Sequence, residues 1–398
     1  MKAILAIVVL SIAFLVNITG PSVYRILFTT FMFHPSVIVD NFRNVDKTGF
    51  PYHNATASDA TSKFYSAINY TLPTDNIEKW LVDHYATGFV ILKVQDTINA
   101  TLLYEKHLRG NDATTKTISW STGKSYVSAL VGIAVDEGLI NISDRVSKYV
   151  PKLADHPYGN VTIKNLLQMS SGIRFNEDYN DTFSDVNMMG YTIALGSDFD
   201  NFILTLTKER EQGQILNYIS TDTQVLGMAL QAAINSSLTR YLKDKVMAEI
   251  GVECDLYWLI DNHVAERELY FGTINTCTRD YARFGWLFLN GGKSPLTGRQ
   301  VISEKWVRDS TTASETHLLP QNTKYHGLGY GYQWWIPYGD DGEYVAIGVY
   351  GQFIYVNPRY QIVIAMNSAF AKYPEVENEY EMEAIEMFRK IARESVVY

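Results

Sequence analysis

The chain has 398 residues, 46% of them apolar and 19% charged, enough to bury a large core and long enough for two or three domains. Its net charge of −9 argues against a nucleic-acid partner. It carries no His-Glu-x-x-His, no Cys-x-x-Cys and no Gly-rich phosphate loop, so metal or nucleotide chemistry has no basis and no cofactor is expected; His263 and His326 read as solvated loop residues.

Lys2 precedes an apolar run at 3–16, the length of a signal-peptide core and short for a membrane span. The proline in Gly20-Pro21-Ser22 makes a poor cleavage site, so a cleaved signal and an uncleaved anchor both stay open. Residues 24–33 are apolar enough to help hold the chain at a membrane, and residues 1–33 are assigned to targeting rather than to the fold. Residues 34–80 read as an irregular N-terminal arm, and 81–398 as the main domain. Eight Asn-x-Ser/Thr sequons, at Asn17, Asn54, Asn69, Asn99, Asn141, Asn160, Asn180 and Asn235, point to a secretory route; a chain merely rich in Asn and Thr is the plainer alternative. The expected location is secreted or N-terminally membrane-anchored, outside the cytoplasm.

Residues 88–94 and 100–105 read as a hairpin turning near Asp96-Thr97. Ser121-Thr122-Gly123-Lys124 then opens a helical run in which Val127, Leu130, Val131 and Ala134 recur at helical spacing and Gly138 marks the end. A hydroxyl nucleophile needs a base within reach. A Ser in the first turn and a Lys three residues on share one face, and the helix start offers free N–H groups beside them. An ordinary N-cap with a solvated lysine is the competing interpretation. Leu166-Leu167-Gln168-Met169-Ser170-Ser171-Gly172 follows, and Asn217-Tyr218-Ile219-Ser220 leads into the run Asp222-Thr223-Gln224-Val225-Leu226-Gly227. Cys254 and Cys277, the only cysteines, read as two buried thiols; a bridge in an oxidising compartment is the alternative. Residues 330–335 open a second strand set, 344–356 and 361–366 form a hairpin around Asn357-Pro358, and 375–394 form an acidic amphipathic helix.

In order and spacing, the Ser121/Lys124 pair, the Leu-Leu…Ser-Gly stretch and the Tyr218 element resemble the penicillin-recognising serine enzymes of the class C β-lactamase and esterase superfamily. The resemblance runs from about residue 77 to 388 and is greatest to 6-aminohexanoate-dimer hydrolases and family VIII carboxylesterases. It implies an α+β, β-lactamase/penicillin-binding-protein-like fold. Strands from both ends of the chain would form an antiparallel sheet covered by helices, and about 141–325 would form a mostly helical insertion. It implies that Ser121 attacks an ester or amide of a small molecule and that Lys124 and Tyr218 move the proton. The third motif of the family aligns with Ala346-Ile347-Gly348, where the usual basic residue is missing; Tyr350-Gly351-Gln352 is the alternative register. The amides of Ser121 and Val349 would form the oxyanion hole, which needs no particular side chain. Gly348, Trp334 and Tyr179 are the expected substrate-binding residues, with Trp335 beside Trp334 as a further candidate for the pocket wall; Tyr179 is included because Phe175-Asn176-Glu177-Asp178-Tyr179 resembles the dimer-hydrolase pattern. No Glu-x-x-Leu-Asn box follows the Ser-x-x-Lys, which points away from the class A branch. Two competing functions are an inactive scaffold and a true β-lactamase or D-Ala-D-Ala carboxypeptidase; the missing cation speaks against the latter.

Overall fold

The computed structural model describes residues 20–67 and 76–395. Helix α1 (Gly20–Phe31) is followed by β1 (Tyr52–Ala55), β2 (Phe64–Ser66), α2 (Ile77–Asp83) and the hairpin β3 (Ala86–Val94) and β4 (Ala100–His107). The hairpin turns where the sequence predicts it, because the Asp96 carboxylate accepts the amides of Ile98 and Asn99. After β5 (Lys116–Ile118), a 3-10 turn at Trp120–Thr122 leads into α3 (Gly123–Asp136). The middle of the chain contributes α4 (Asp185–Ala194), α5 (Ser220–Ile234), β6 (Leu256–Leu259), β7 (Ile274–Cys277) and α6 (Thr278–Leu289). Five strands and a helix close it: β8 (Leu328–Tyr330), β9 (Trp335–Pro337), β10 (Tyr344–Gly348), β11 (Gln352–Asn357), β12 (Ile362–Ser368) and α7 (Tyr373–Glu394).

The expected sheet is present. Eight strands lie in the order β2-β4-β3-β12-β11-β10-β9-β8, antiparallel except for the parallel β2/β4 pair. β11 and β12 are buried along their whole length because helices cover both faces. On one face Phe388 of α7 meets Phe89, Phe353 and Tyr355; on the other lies α6.

Five expectations need correction. Residues 344–356 are not one strand: the chain reverses at 349–351, with Tyr350 at φ 64° and Gly351 at φ 92°, and β10 and β11 pair back on each other. The strands do not form a single sheet: β6 and β7, in the mostly helix-and-loop middle, join β1 and β5 in a second sheet of order β1-β6-β7-β5. The arm is correspondingly less irregular, supplying β1 to that sheet and β2 to the main one. Cys254 and Cys277 are bridged, tying the chain before β6 to the start of α6.

The fifth concerns residues 1–33. The apolar run at 3–16 lies outside the described residues, but 20–33 belong to the fold. α1 packs on α4, Ile26 and Met32 are buried, and the Asn41 side-chain amide donates to the Met32 carbonyl, 3.0 Å away, just past the helix end. Phe33 stacks on Tyr350 at 4.4 Å. Among the described residues no helix is long and apolar enough to cross a membrane.

Candidate active site

Ser121 sits in the 3-10 turn between β5 and α3, pressed from two sides by backbone. A Cβ on Gly348 would stand 2.7 Å from the Ser119 carbonyl and 3.1 Å from the Ser121 nitrogen, and a Cβ on Gly272 would stand 2.9 Å from the Trp120 carbonyl. Only glycine permits these approaches. Trp120, just before Ser121, is held at φ 43°, backbone strain of the kind that collects at working sites.

Lys124 is 1% exposed. Its Nζ lies 2.9 Å from Ser121 Oγ, 2.7 Å from the Phe271 carbonyl and 3.3 Å from Ser220 Oγ. A neutral amine has two N–H donors and one lone pair. With Phe271 and Ser220 taking the donors, the lone pair faces the Ser121 hydroxyl. Burial drives the Lys124 pKa down to about 7, while the nearby Glu177 carboxylate works against that fall. Tyr218 behaves oppositely: burial pushes its phenol well above 10, and its hydrogen bond with Ser121 offsets this only in part. Of the pair, Lys124 is the group that burial brings toward neutrality near pH 7, and Tyr218 keeps its proton. The Tyr218 ring stacks on Trp335 at 5.2 Å, and its amide donates to Tyr325 Oη at 2.8 Å.

Glu177 was not singled out in the sequence. Its carboxylate accepts from the Ser220 amide at 2.9 Å, from the Ser220 hydroxyl, and from the Tyr179 hydroxyl at 3.2 Å. A continuous chain thus runs from Ser121 through Lys124 and Ser220 to Glu177. The neighbouring Tyr179 in the Phe175–Tyr179 stretch was the available signal. Phe271 offers only its carbonyl, for which the sequence gives none.

Ser121, Tyr179 and Val349 line one cavity of about 600 Å³, walled largely by apolar side chains including Met32, Phe33, Phe50 and Met189. The Val349 amide, at the reversal after β10, donates to no backbone carbonyl among the described residues. It follows Gly348, where a Cβ would stand 3.1 Å from the Ser121 nitrogen, and the Ser121 amide lies in the first turn, where no carbonyl of the same helix can accept. Gly348 packs behind the nucleophile, whereas a Cβ on Gly351 would meet Tyr380 and Ser368 instead; the triplet beside Ser121 is Ala346-Ile347-Gly348. Trp334 is a correction: it is fully buried against Phe284, Phe288 and Tyr344, away from the cavity, and Trp335 is the one that touches the site. The Ser170-Ser171-Gly172 loop and Tyr158 pack around Asp222 and so fix the start of α5, which carries Ser220.

An antiparallel sheet built from both chain ends, with Ser and Lys at the mouth of the intervening segment, defines a β-lactamase/penicillin-binding-protein-like fold. Over residues 93–385 the chain matches the Beta-lactamase family, and it belongs to that family. It is 26% identical over 309 residues to the 6-aminohexanoate-dimer hydrolase of Paenarthrobacter ureafaciens, a match covering 74% of this chain and 75% of that one. Among solved structures it superposes on a candidate 6-aminohexanoate-dimer hydrolase from Bacillus anthracis with a TM-score of 0.77 at 19% identity, covering 91% and 95% of the two chains. A family VIII carboxylesterase gives 0.57 at 16% identity, covering 80% and 99%. The last two similarities speak to the fold alone.

Proposed function

We propose that the protein is a serine hydrolase that cleaves a neutral ester or amide through an acyl-enzyme on Ser121. The observation that carries this is the Ser121 hydroxyl facing a buried Lys124 whose pKa is near 7. Ser121 Oγ attacks the carbonyl carbon and its proton passes to Lys124. The amides of Ser121 and Val349 hold the oxyanion. Tyr218 relays the proton to the leaving oxygen or nitrogen as that bond breaks. Water then attacks the acyl-enzyme, gives up its proton by the same route, and releases the acid and Ser121.

Substrate charge follows from the wall. Ala346 supplies no cation, and among the described residues the cavity wall holds a single charged side chain, Glu375. A charge-assisted hydrogen bond to a substrate carboxylate is worth about 1.5–3 kcal/mol, and none is on offer. A neutral p-nitrophenyl ester should therefore give a higher kcat/KM than the cephalosporin nitrocefin, by about 10-fold or more. Equal or better turnover of nitrocefin would overturn the neutral-substrate assignment.

We also propose that the domain works outside the cytosol, on or near a membrane. The Cys254–Cys277 bridge supports an oxidising compartment, and the sequons at Asn141, Asn160 and Asn235 are exposed. Expressed in a eukaryotic secretory system, the protein should lose mass on deglycosylation. A full-length chain found soluble in the cytosol, its N-terminus intact and its cysteines reduced, would contradict this.

A further inference from the structure

We infer that the cavity beside Ser121 is an acyl-chain channel, so that the substrate class is an ester or amide of a long, unbranched, uncharged acyl group. This rests on the serine-hydrolase reading and narrows it.

The cavity does not stop at the nucleophile. From Ser121 and Val349 it continues between the N-terminal segment, which supplies Thr29, Met32 and Phe33, and α4, which supplies Val186, Met189 and Ile193. Apart from Glu375 every side chain that lines it is uncharged, and most are apolar, which suits methylene groups. Tyr218, the proposed leaving-group relay, stacks on Trp335 and is not among the residues lining the channel, so we assign the channel to the acyl side of the carbonyl. Its walls are apolar on the outside as well. Phe183 at the mouth is 83% exposed, and Tyr24 on α1, Met188 on α4 and Leu195 just beyond α4 are exposed too. α1 itself begins at Gly20, only a few residues after the apolar run at 3–16. Exposed apolar side chains on α1, on α4 and at the mouth suit a chain that enters from a lipid phase.

The test is a p-nitrophenyl ester series on the full chain, from acetate to hexadecanoate. Each methylene buried in such a wall contributes about threefold to fourfold in kcat/KM. The expected result is a climb of at least ~30-fold between butyrate and octanoate, carried by the acyl chain. Gly190 sits in the wall, and a Cβ there would find nothing nearer than Thr29 Cγ2 at 3.8 Å. Gly190→Phe should therefore place a ring in the channel while improving helix propensity, and should move the optimum to shorter chains. A long ester supplied below its aggregation threshold and the same ester in phosphatidylcholine vesicles separate a soluble acyl donor from a membrane lipid; turnover in either supports the channel. Ser121 labelling by a short fluorophosphonate with no gain from longer acyl chains, or an unchanged optimum in Gly190→Phe, would overturn the channel and leave the hydrolase standing. No labelling by any fluorophosphonate and no ester turnover would overturn both.

Discussion

Ser121→Ala should lower turnover of any ester by at least about 10³-fold and abolish fluorophosphonate labelling, while the melting temperature moves by no more than about 3 °C. The two halves of that expectation have different origins. The activity falls because the oxygen that forms the covalent bond is gone, and no other hydroxyl is placed to replace it. Ser220 Oγ, 3.3 Å from Lys124 Nζ, is committed to Glu177. The stability holds because Ser121 makes no helix cap: neither the 3-10 turn nor α3 has a side-chain capping bond. Its loss also leaves Lys124 with the Phe271 carbonyl and Ser220 as partners, so the change is about one hydrogen bond, roughly 1 kcal/mol. Activity measured with a neutral ester and melting measured by circular dichroism separate the two. Full turnover in the folded variant would end the serine mechanism.

What could be read from the sequence was what local geometry dictates. Ser121 and Lys124 are one helical turn apart, so their meeting follows from 3.6 residues per turn, and the β3/β4 turn follows from one aspartate. Tyr218 was recognisable by order and spacing. Contacts that depend on tertiary packing were not. Glu177 reaches Ser220 across 43 residues of chain, and Phe271 reaches Lys124 across 147 with a backbone atom. Of the two adjacent tryptophans only Trp335 reaches the site, for a simple reason. Adjacent residues at a strand edge point to opposite sides, and a slip of one residue exchanges core for site. β6 and β7 are four residues each and buried throughout, so they carry no alternation to detect. Cysteine spacing says nothing of pairing, and hydropathy did not separate an apolar stretch bound for lipid from one that packs against its own domain, as 24–33 does.

The pH dependence of catalysis should carry the signature of Lys124. Below about pH 7 the amine is an ammonium with no lone pair to receive the Ser121 proton; above it the free base dominates. kcat/KM for a neutral ester should therefore rise through an apparent pKa near 7 and then level off. Lys124→Met, which keeps length and fills the same buried space, should cost at least about 10³-fold and remove that limb from the residual rate. This control matters because Asp222, two residues beyond Ser220 on α5, is also pushed up to about 7 by burial. A limb that persists in Lys124→Met would belong to Asp222 or another group. Glu177 then supplies a sharper test. Its carboxylate raises the Lys124 pKa against the desolvation that lowers it. Glu177→Gln keeps an acceptor for Ser220 but removes the charge, so the limb should shift to lower pH. A role limited to holding Ser220 in place would reduce kcat and leave the midpoint where it was. A midpoint that stays near 7 in Glu177→Gln would therefore reduce Glu177 to a structural acceptor and leave burial alone as the reason that this lysine can act as a base.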